Sequence, residues 1–126
     1  MSNTLVLEDD SNRQRLFKSA IPSAKIVDNV PALIELLGNE TDEEVYLYLD
    51  HDLGGDTYVD SSLPNTGMGA VRWIVANKPK LTKVTVHSLN RPAAVEMCNK
   101  LHDAGYQTQY MPFTRLQLIL ASFAPE

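Results

Sequence analysis

Residues 45–52 have the sequence VYLYLDHD, and this stretch decides the fold. Its first five residues form an apolar run typical of a strand buried on both faces of a parallel sheet, and charged side chains follow directly. Residues 5–10 (LVLEDD) and residues 84–88 (VTVHS) have the same organisation. The sequence therefore predicts three buried strands whose carboxyl ends carry polar groups.

Segments with helical spacing separate these strands. In residues 13–20 the side chains expected to face the core recur at i, i+3, i+4 and i+7, and this spacing predicts a helix that ends before Pro22. Shorter strands are predicted at residues 25–27 and 107–111. This alternation predicts one α/β domain over residues 1–126, a doubly wound (βα)5 fold with a parallel five-stranded sheet. Each of the five predicted helices has a set of residues on one face. These sets are Arg13, Leu16, Phe17 and Ala20; Leu33, Ile34 and Leu37, in a helix that begins at Pro31 and stops at Gly38; Val71, Ile74 and Val75; Ala94, Met97, Cys98 and Leu101, in a helix that begins near Asn90 and stops at Gly105; and Leu116, Ile119, Leu120 and Phe123.

Composition limits the classes of function. The 126 residues carry a net charge of −5, which argues against tight binding to duplex nucleic acid because such binding depends on clustered Lys and Arg. The sequence has neither a long apolar run nor the pattern of a signal peptide, so we expect a cytoplasmic protein that does not bind membranes. The single cysteine, Cys98, excludes an internal disulfide and a cysteine-based zinc cluster.

The predicted strand ends indicate a metal site. In an open parallel sheet, ligands bind beyond the carboxyl ends of the strands, where Asp9, Asp10 and Asp50 would converge. Carboxylates gathered in one cleft repel one another unless a cation lies between them, and oxygen ligands suit Mg²⁺ or Mn²⁺. The alternative for Asp9 and Asp10 is that they only begin the first helix, since acidic side chains favour helix N-termini.

Two histidines lie at the same predicted edge. His51 and His87 are candidate catalytic residues because imidazole exchanges protons near neutral pH. Asp50 is a further catalytic candidate, and Asp52 could orient a histidine or join the metal ligands. Ser88 could position a phosphate oxygen or cap a helix. The loop from residue 53 to about residue 65 is a candidate lid, since its turn-forming residues do not predict a regular element.

Two other residues are candidates for substrate binding. Arg13 lies one turn after the acidic pair and could hold a phosphate, or it could be a solvent-exposed helix arginine. Asn90 could contact the ligand, or it could cap the helix that follows it. The residue types alone leave both pairs of alternatives open.

Several of these residues resemble the receiver domain of response regulators. The shared features are the acidic pair Asp9 and Asp10, Asp50 after the third strand and the hydroxyl of Ser88 after the fourth. The resemblance implies a receiver-like fold with strand order 2-1-3-4-5, and a Mg²⁺ site at the three aspartates with Asp50 as phosphoacceptor. The chain departs from receivers at Met111, where they have a phosphate-binding lysine before proline.

A closer resemblance is to the cyclic-phosphate-processing receiver family. It rests on LEDD followed by Arg13, on LDHDLG at residues 49–54 and on HSLN at residues 87–90. The resemblance implies a metal-dependent phosphoesterase whose ligand is a cyclic nucleotide or an RNA end carrying a cyclic phosphate. Two alternatives remain: a phosphoacceptor receiver in signalling, and a module that binds a nucleotide or protein without turnover. A homo-oligomer is compatible with each of these functions.

Overall fold

The computed structural model describes residues 2–53 and 59–123, and within them five strands alternate with five helices. The first three strands are β1 (Ser2–Leu7), β2 (Lys25–Val27) and β3 (Glu44–Leu49), followed by β4 (Lys83–Val86) and β5 (Thr108–Tyr110). The helices are α1 (Ser11–Ala20), α2 (Val30–Gly38), α3 (Gly67–Asn77), α4 (Arg91–Asp103) and α5 (Phe113–Phe123).

All neighbouring strands are parallel, and their order in the sheet is β2-β1-β3-β4-β5. The predicted α/β class and the predicted strand order are therefore confirmed. The register is level at the carboxyl edge, because Leu7 pairs with Leu49 and Leu49 pairs with Val86. The residue that follows each of these three strands consequently lies at the same edge.

Helices cover both faces of the sheet. Alternate residues of a strand point to opposite faces, so Leu5 and Leu7 pack with α2, α3 and α4, whereas Val6 packs with α1 and α5. Phe17 and Phe113 are the aromatic members of the buried cluster beneath α1 and α5. Two apolar layers thus hold the sheet from both sides.

Capping residues fix where several helices begin and end. The side chains of Asn29, Thr66 and Asn90 accept hydrogen bonds from the backbone N–H groups of α2, α3 and α4. Gly105 follows α4 with φ +99°, the left-handed conformation that glycine adopts readily at a helix end. The predicted stop of this helix is thereby confirmed.

In the part of the chain that the structure describes, no helix combines the length and the apolar character needed to cross a bilayer.

Candidate functional site

The level ends of β1, β3 and β4 bring three polar side chains together. Glu8, Asp50 and His87 each follow their strand directly, and one potential ligand atom from each lies within 4.8 Å of the others. The Nε2 atom of His87 is 2.9 Å from Oε1 of Glu8. Glu8 and His87 are fully buried and Asp50 is 3% exposed. We refer to these three residues as the strand-end cluster.

Burial and mutual repulsion alter the acid–base properties of the strand-end cluster. Burial raises the pKa of Glu8 above its usual range. Burial, reinforced by the negative charge of Glu8, raises the pKa of Asp50 to about 7, although the backbone N–H of His51 donates to its Oδ1 at 2.8 Å. Burial lowers the pKa of His87 to about 4, against the opposing influence of Asp50. Ionisation of both carboxyl groups is therefore unfavourable unless a cation binds between them.

The donor set fits a divalent ion. Two carboxylates and one imidazole combine the oxygen ligands of Mg²⁺ and Mn²⁺ with a nitrogen ligand more typical of transition metals. The ring of His87 packs edge-on against Phe17 and Phe113, and its Nδ1 atom is buried without a hydrogen-bond partner in residues 2–53 and 59–123. Aromatic packing thus orients this ring towards the two carboxylates.

Of the three predicted metal ligands, Asp9, Asp10 and Asp50, the structure places one in the strand-end cluster. Asp50 belongs to the strand-end cluster, whereas the exposed Asp10 caps α1, its Oδ1 accepting from the N–H groups of Asn12 at 2.8 Å and Arg13 at 3.2 Å. Asp9 is half-buried between Glu8 and Asp10, and its charge contributes to the raised pKa of Glu8. Metal binding through Asp9 and Asp10 stays a prediction.

Glu8 is the residue that the sequence-based choice of metal ligands omitted. Its position relative to β1 equals that of Asp50 relative to β3 and of His87 relative to β4. Counting from the end of each apolar run would have found it, because parallel strands in level register bring equivalent positions to one edge. The capping preference of aspartate likewise explains why Asp10 turns to the helix instead.

A second group of polar side chains surrounds His51. The Nδ1 atom of this buried histidine is 2.9 Å from Oδ1 of Asp52, and its Nε2 atom is 2.9 Å from Oγ of Ser61. The side-chain amide of Asn90 donates to the same Asp52 oxygen at 3.1 Å, and the backbone N–H of Val59 donates to it at 2.7 Å. His51, Asp52 and Asn90 were all predicted site residues, and the structure brings them together.

Ser88 and Arg13 are the two remaining residues that the sequence predicted for the site. Ser88 is buried, and its Oγ accepts from the N–H of Asn90 at 3.0 Å, while its carbonyl oxygen accepts from the Tyr110 hydroxyl at 3.0 Å. One guanidinium nitrogen of Arg13 is 3.8 Å from Oε1 of Glu8, and the group lies 5.0 Å from the centre of the Phe113 ring. Arg13 thus carries a positive charge to the edge of the strand-end cluster.

The end of β5 lacks the lysine of ordinary receivers. Met111 follows this strand, is partly buried and packs against the apolar cluster beneath α1 and α5. Arg115, the next cation along the chain, is exposed on α5. Arg13 is therefore the cation that contacts the strand-end cluster in the described residues.

The loop that was predicted as a lid is described in part. Residues 54–58 lie outside the described residues. Residues 59–65 are joined to the rest of the domain by hydrogen bonds. The Arg72 side chain, which α3 carries, donates to the carbonyl oxygens of Ser61 at 2.7 Å and Leu63 at 3.1 Å. This loop therefore has its own anchoring residue, which the turn-forming composition did not predict.

The sequence matches the profile of a known protein family. The profile of the cyclic-phosphate processing receiver domain matches residues 4–103, which run from within β1 to the end of α4 and include both groups of polar residues. Among curated proteins, none matches the chain. The profile match covers most of the sequence and contains every candidate site residue named above. The chain therefore belongs to the family of cyclic-phosphate processing receiver domains.

Proposed function

We propose that this protein is a metal-dependent phosphoesterase that opens the cyclic phosphate of a nucleotide or of an RNA end. The observation that supports the proposal most directly is the buried strand-end cluster of Glu8, Asp50 and His87, adjacent in the chain to a second histidine, His51, with hydrogen-bond partners on both ring nitrogens. The first group suits a cation and the second suits proton transfer. Both kinds of group are useful for hydrolysis of a phosphodiester.

The strand-end cluster would hold Mg²⁺ or Mn²⁺ through Glu8, Asp50 and His87. A divalent ion at such a site polarises a phosphoryl oxygen and lowers the pKa of bound water. Burial disfavours the protonated form of His87, so its ring supplies a neutral nitrogen. We therefore favour a ligand role for His87. Proton transfer by His87, which the sequence suggested, stays a prediction.

Proton transfer is assigned to His51. Oδ1 of Asp52 accepts from several donors, which fits an ionised carboxylate, so the Nδ1 atom of His51 carries the proton of that pair. The Nε2 atom then carries the lone pair, which can take a proton from the attacking nucleophile. Asn90 donates to Asp52 and so positions it, in addition to its role as the N-cap of α4.

Arg13 is the residue that we assign to the ligand phosphate. Its side chain is 25% exposed, and one guanidinium nitrogen lies 3.8 Å from the fully buried Glu8. A guanidinium can donate two parallel hydrogen bonds to a phosphate group. Ser88 is buried with its oxygen atoms already engaged by Asn90 and Tyr110, so a phosphate contact there would require a local rearrangement.

The decisive experiment combines turnover with a matched histidine control. Cyclic mono- and dinucleotides and RNA ends with a 2′,3′-cyclic phosphate are incubated with the protein in Mg²⁺, in Mn²⁺ or in chelator, and products are followed by chromatography. His51→Gln should lower the rate roughly 10²–10⁴-fold with a smaller effect on ligand affinity. His102→Gln, which changes an exposed histidine of α4, should retain the wild-type rate.

Three outcomes would count against the proposal. Ligand binding without any product would support a binding module, and equal turnover in chelator would exclude a metal-dependent reaction. Stable phosphorylation of Asp50 by acetyl phosphate, with no hydrolysis of cyclic phosphates, would support the phosphoacceptor receiver. Each outcome is read by a different measurement, so the alternatives are separated.

A further inference from the structure

We infer that the hydroxyl of Ser61 is the nucleophile of this site, activated by His51 and oriented through Asp52. Ser61 lies in the loop before α3 and belongs to none of the strand ends. Its Oγ is 2.9 Å from Nε2 of His51, and Nδ1 of the same ring is 2.9 Å from Oδ1 of Asp52. A hydroxyl, an imidazole and a carboxylate in this order form the arrangement that activates serine in nucleophilic catalysis.

The direction of the hydrogen bonds follows from Asp52. Its Oδ1 receives the N–H of Val59 at 2.7 Å and the side-chain amide of Asn90 at 3.1 Å, so it acts as an acceptor. The amide nitrogen of Asn90 also lies 3.4 Å from Nδ1 of His51, but the Asp52 oxygen is closer at 2.9 Å, so Nδ1 donates to Asp52 and Nε2 is left as an acceptor. The proton of the Ser61 hydroxyl consequently points at a basic nitrogen, as an attacking oxygen requires.

The loop holds Ser61 against the histidine while leaving it reachable. Arg72 donates to the carbonyl oxygen of Ser61 at 2.7 Å and to that of Leu63 at 3.1 Å, which fixes the backbone on the side facing α3. Ser61 is half-buried, whereas His51 is fully buried. Ser61 is therefore the more accessible residue of the pair.

The reaction at Ser61 is a double displacement at phosphorus, and its substrate class rests on the proposed function. In the first step a bond forms between Ser61 Oγ and phosphorus, a ring P–O bond breaks, the hydroxyl proton passes to Nε2 of His51, and the leaving alkoxide takes a proton from solvent. In the second step the oxygen of a water molecule bonds to phosphorus and the Oγ–P bond breaks. His51 returns its proton to Oγ, and the proton of the water goes to solvent.

The first test needs neither a metal nor a cyclic phosphate. The full chain is treated with an alkyl fluorophosphonate, which would place phosphorus on Oγ with loss of fluoride, and the modified residue is located by mass spectrometry. We expect modification at Ser61, loss of labelling in Ser61→Ala and His51→Gln, and unchanged labelling in Ser62→Ala. The absence of modification at Ser61 in the folded wild-type protein would overturn the inference.

The second test uses the stereochemistry of turnover. A 2′,3′-cyclic phosphorothioate of one configuration is hydrolysed in ¹⁸O-water, because two in-line displacements retain configuration at phosphorus and one inverts it. We expect retention, together with a decrease in rate of roughly 10²-fold or more in Ser61→Ala. Inversion, or full turnover by a folded Ser61→Ala, would overturn the nucleophilic role while leaving the proposed phosphoesterase intact. Labelling of Ser61 without any cyclic-phosphate turnover would instead support the nucleophile and reject the proposed function.

Discussion

Replacing Asp50 by asparagine should stabilise the metal-free protein more at pH 8 than at pH 5, relative to the wild type. Burial and the charge of Glu8 raise the pKa of Asp50 from 3.8 to about 7. Between these two values the folded protein holds a proton that the unfolded chain has released, so the stability of the wild type falls as the pH rises from 3.8 through about 7. Asparagine does not titrate, so the variant escapes this loss.

The size of the effect follows from the same two values. Between pH 5 and pH 8 the carboxyl group is protonated in the folded state and ionised in the unfolded state over roughly two pH units. Each of these pH units lowers the unfolding free energy of the wild type by about 1.36 kcal/mol. The unfolding free energy of Asp50→Asn minus that of the wild type should therefore increase by about 2–3 kcal/mol. His87 has the opposite dependence, since its pKa is lowered from 6.5 to about 4 and its stabilisation is lost as the pH falls through that range. Asp50→Asn removes the influence that opposes this lowering, so folded His87 stays mostly neutral from pH 5 to pH 8 in both proteins and its contribution largely cancels.

Urea denaturation in the presence of a chelator measures this difference directly. Asp103→Asn, a change of an exposed aspartate on α4, serves as the control and should follow the wild type at both pH values. The quantity to compare is the unfolding free energy of Asp50→Asn minus that of the wild type. If this quantity is the same at pH 8 as at pH 5, or smaller, the assignment of a raised pKa to Asp50 is refuted. Added Mn²⁺ should stabilise the wild type and have little effect on Asp50→Asn, because the variant lacks one of the three proposed ligands.

Two further substitutions separate the metal site from its supporting structure. Asp10→Ala should destabilise the protein by about 1 kcal/mol through loss of the cap of α1, and calorimetry should show almost unchanged Mn²⁺ affinity; a large loss of affinity would restore Asp10 as a ligand. Gly67→Ala should cost about 1–3 kcal/mol and weaken metal binding, because the added Cβ would overlap the Asp50 carbonyl oxygen and lie 2.7 Å from Cα of His51. Gly38→Ala is the control in urea denaturation and should be tolerated, since no atom lies within 4 Å of its added Cβ.

Much of the fold could be predicted because apolar runs and helix signals are local features. The run from Val45 to Leu49 specified a buried strand, and Asn90 and Gly105 marked the two ends of α4, as the structure has them. The strand order came from the resemblance to receivers, since local patterns do not determine which strands pair. Chain order and the rule for parallel crossovers restrict the topology without selecting one arrangement.

The candidate site was less predictable because residue type does not give side-chain direction. Asp10 and Glu8 are both acidic residues after β1, yet one caps a helix and the other is buried beside His87. Ser61 has no sequence signal at all, since a serine in a turn-rich loop is ordinarily a solvent-exposed residue. Its contact with His51 depends on the path of the loop, which hydrogen bonds from Arg72 help to fix.

The level register of the three central strands also restricts which insertions and deletions the gene can accept. Adjacent residues of a strand face opposite sides of the sheet, so removal of one residue within β3 would exchange the surroundings of Asp50 and His51. Asp50 would then face α3 and α4, and His51 would face the aromatic side chains beneath α1 and α5. Length changes at the amino-terminal edge of the sheet, such as in residues 39–43 between α2 and β3, do not alter which side of the sheet each residue of β3 faces. Variation in chain length among relatives should accordingly concentrate in connections of that kind.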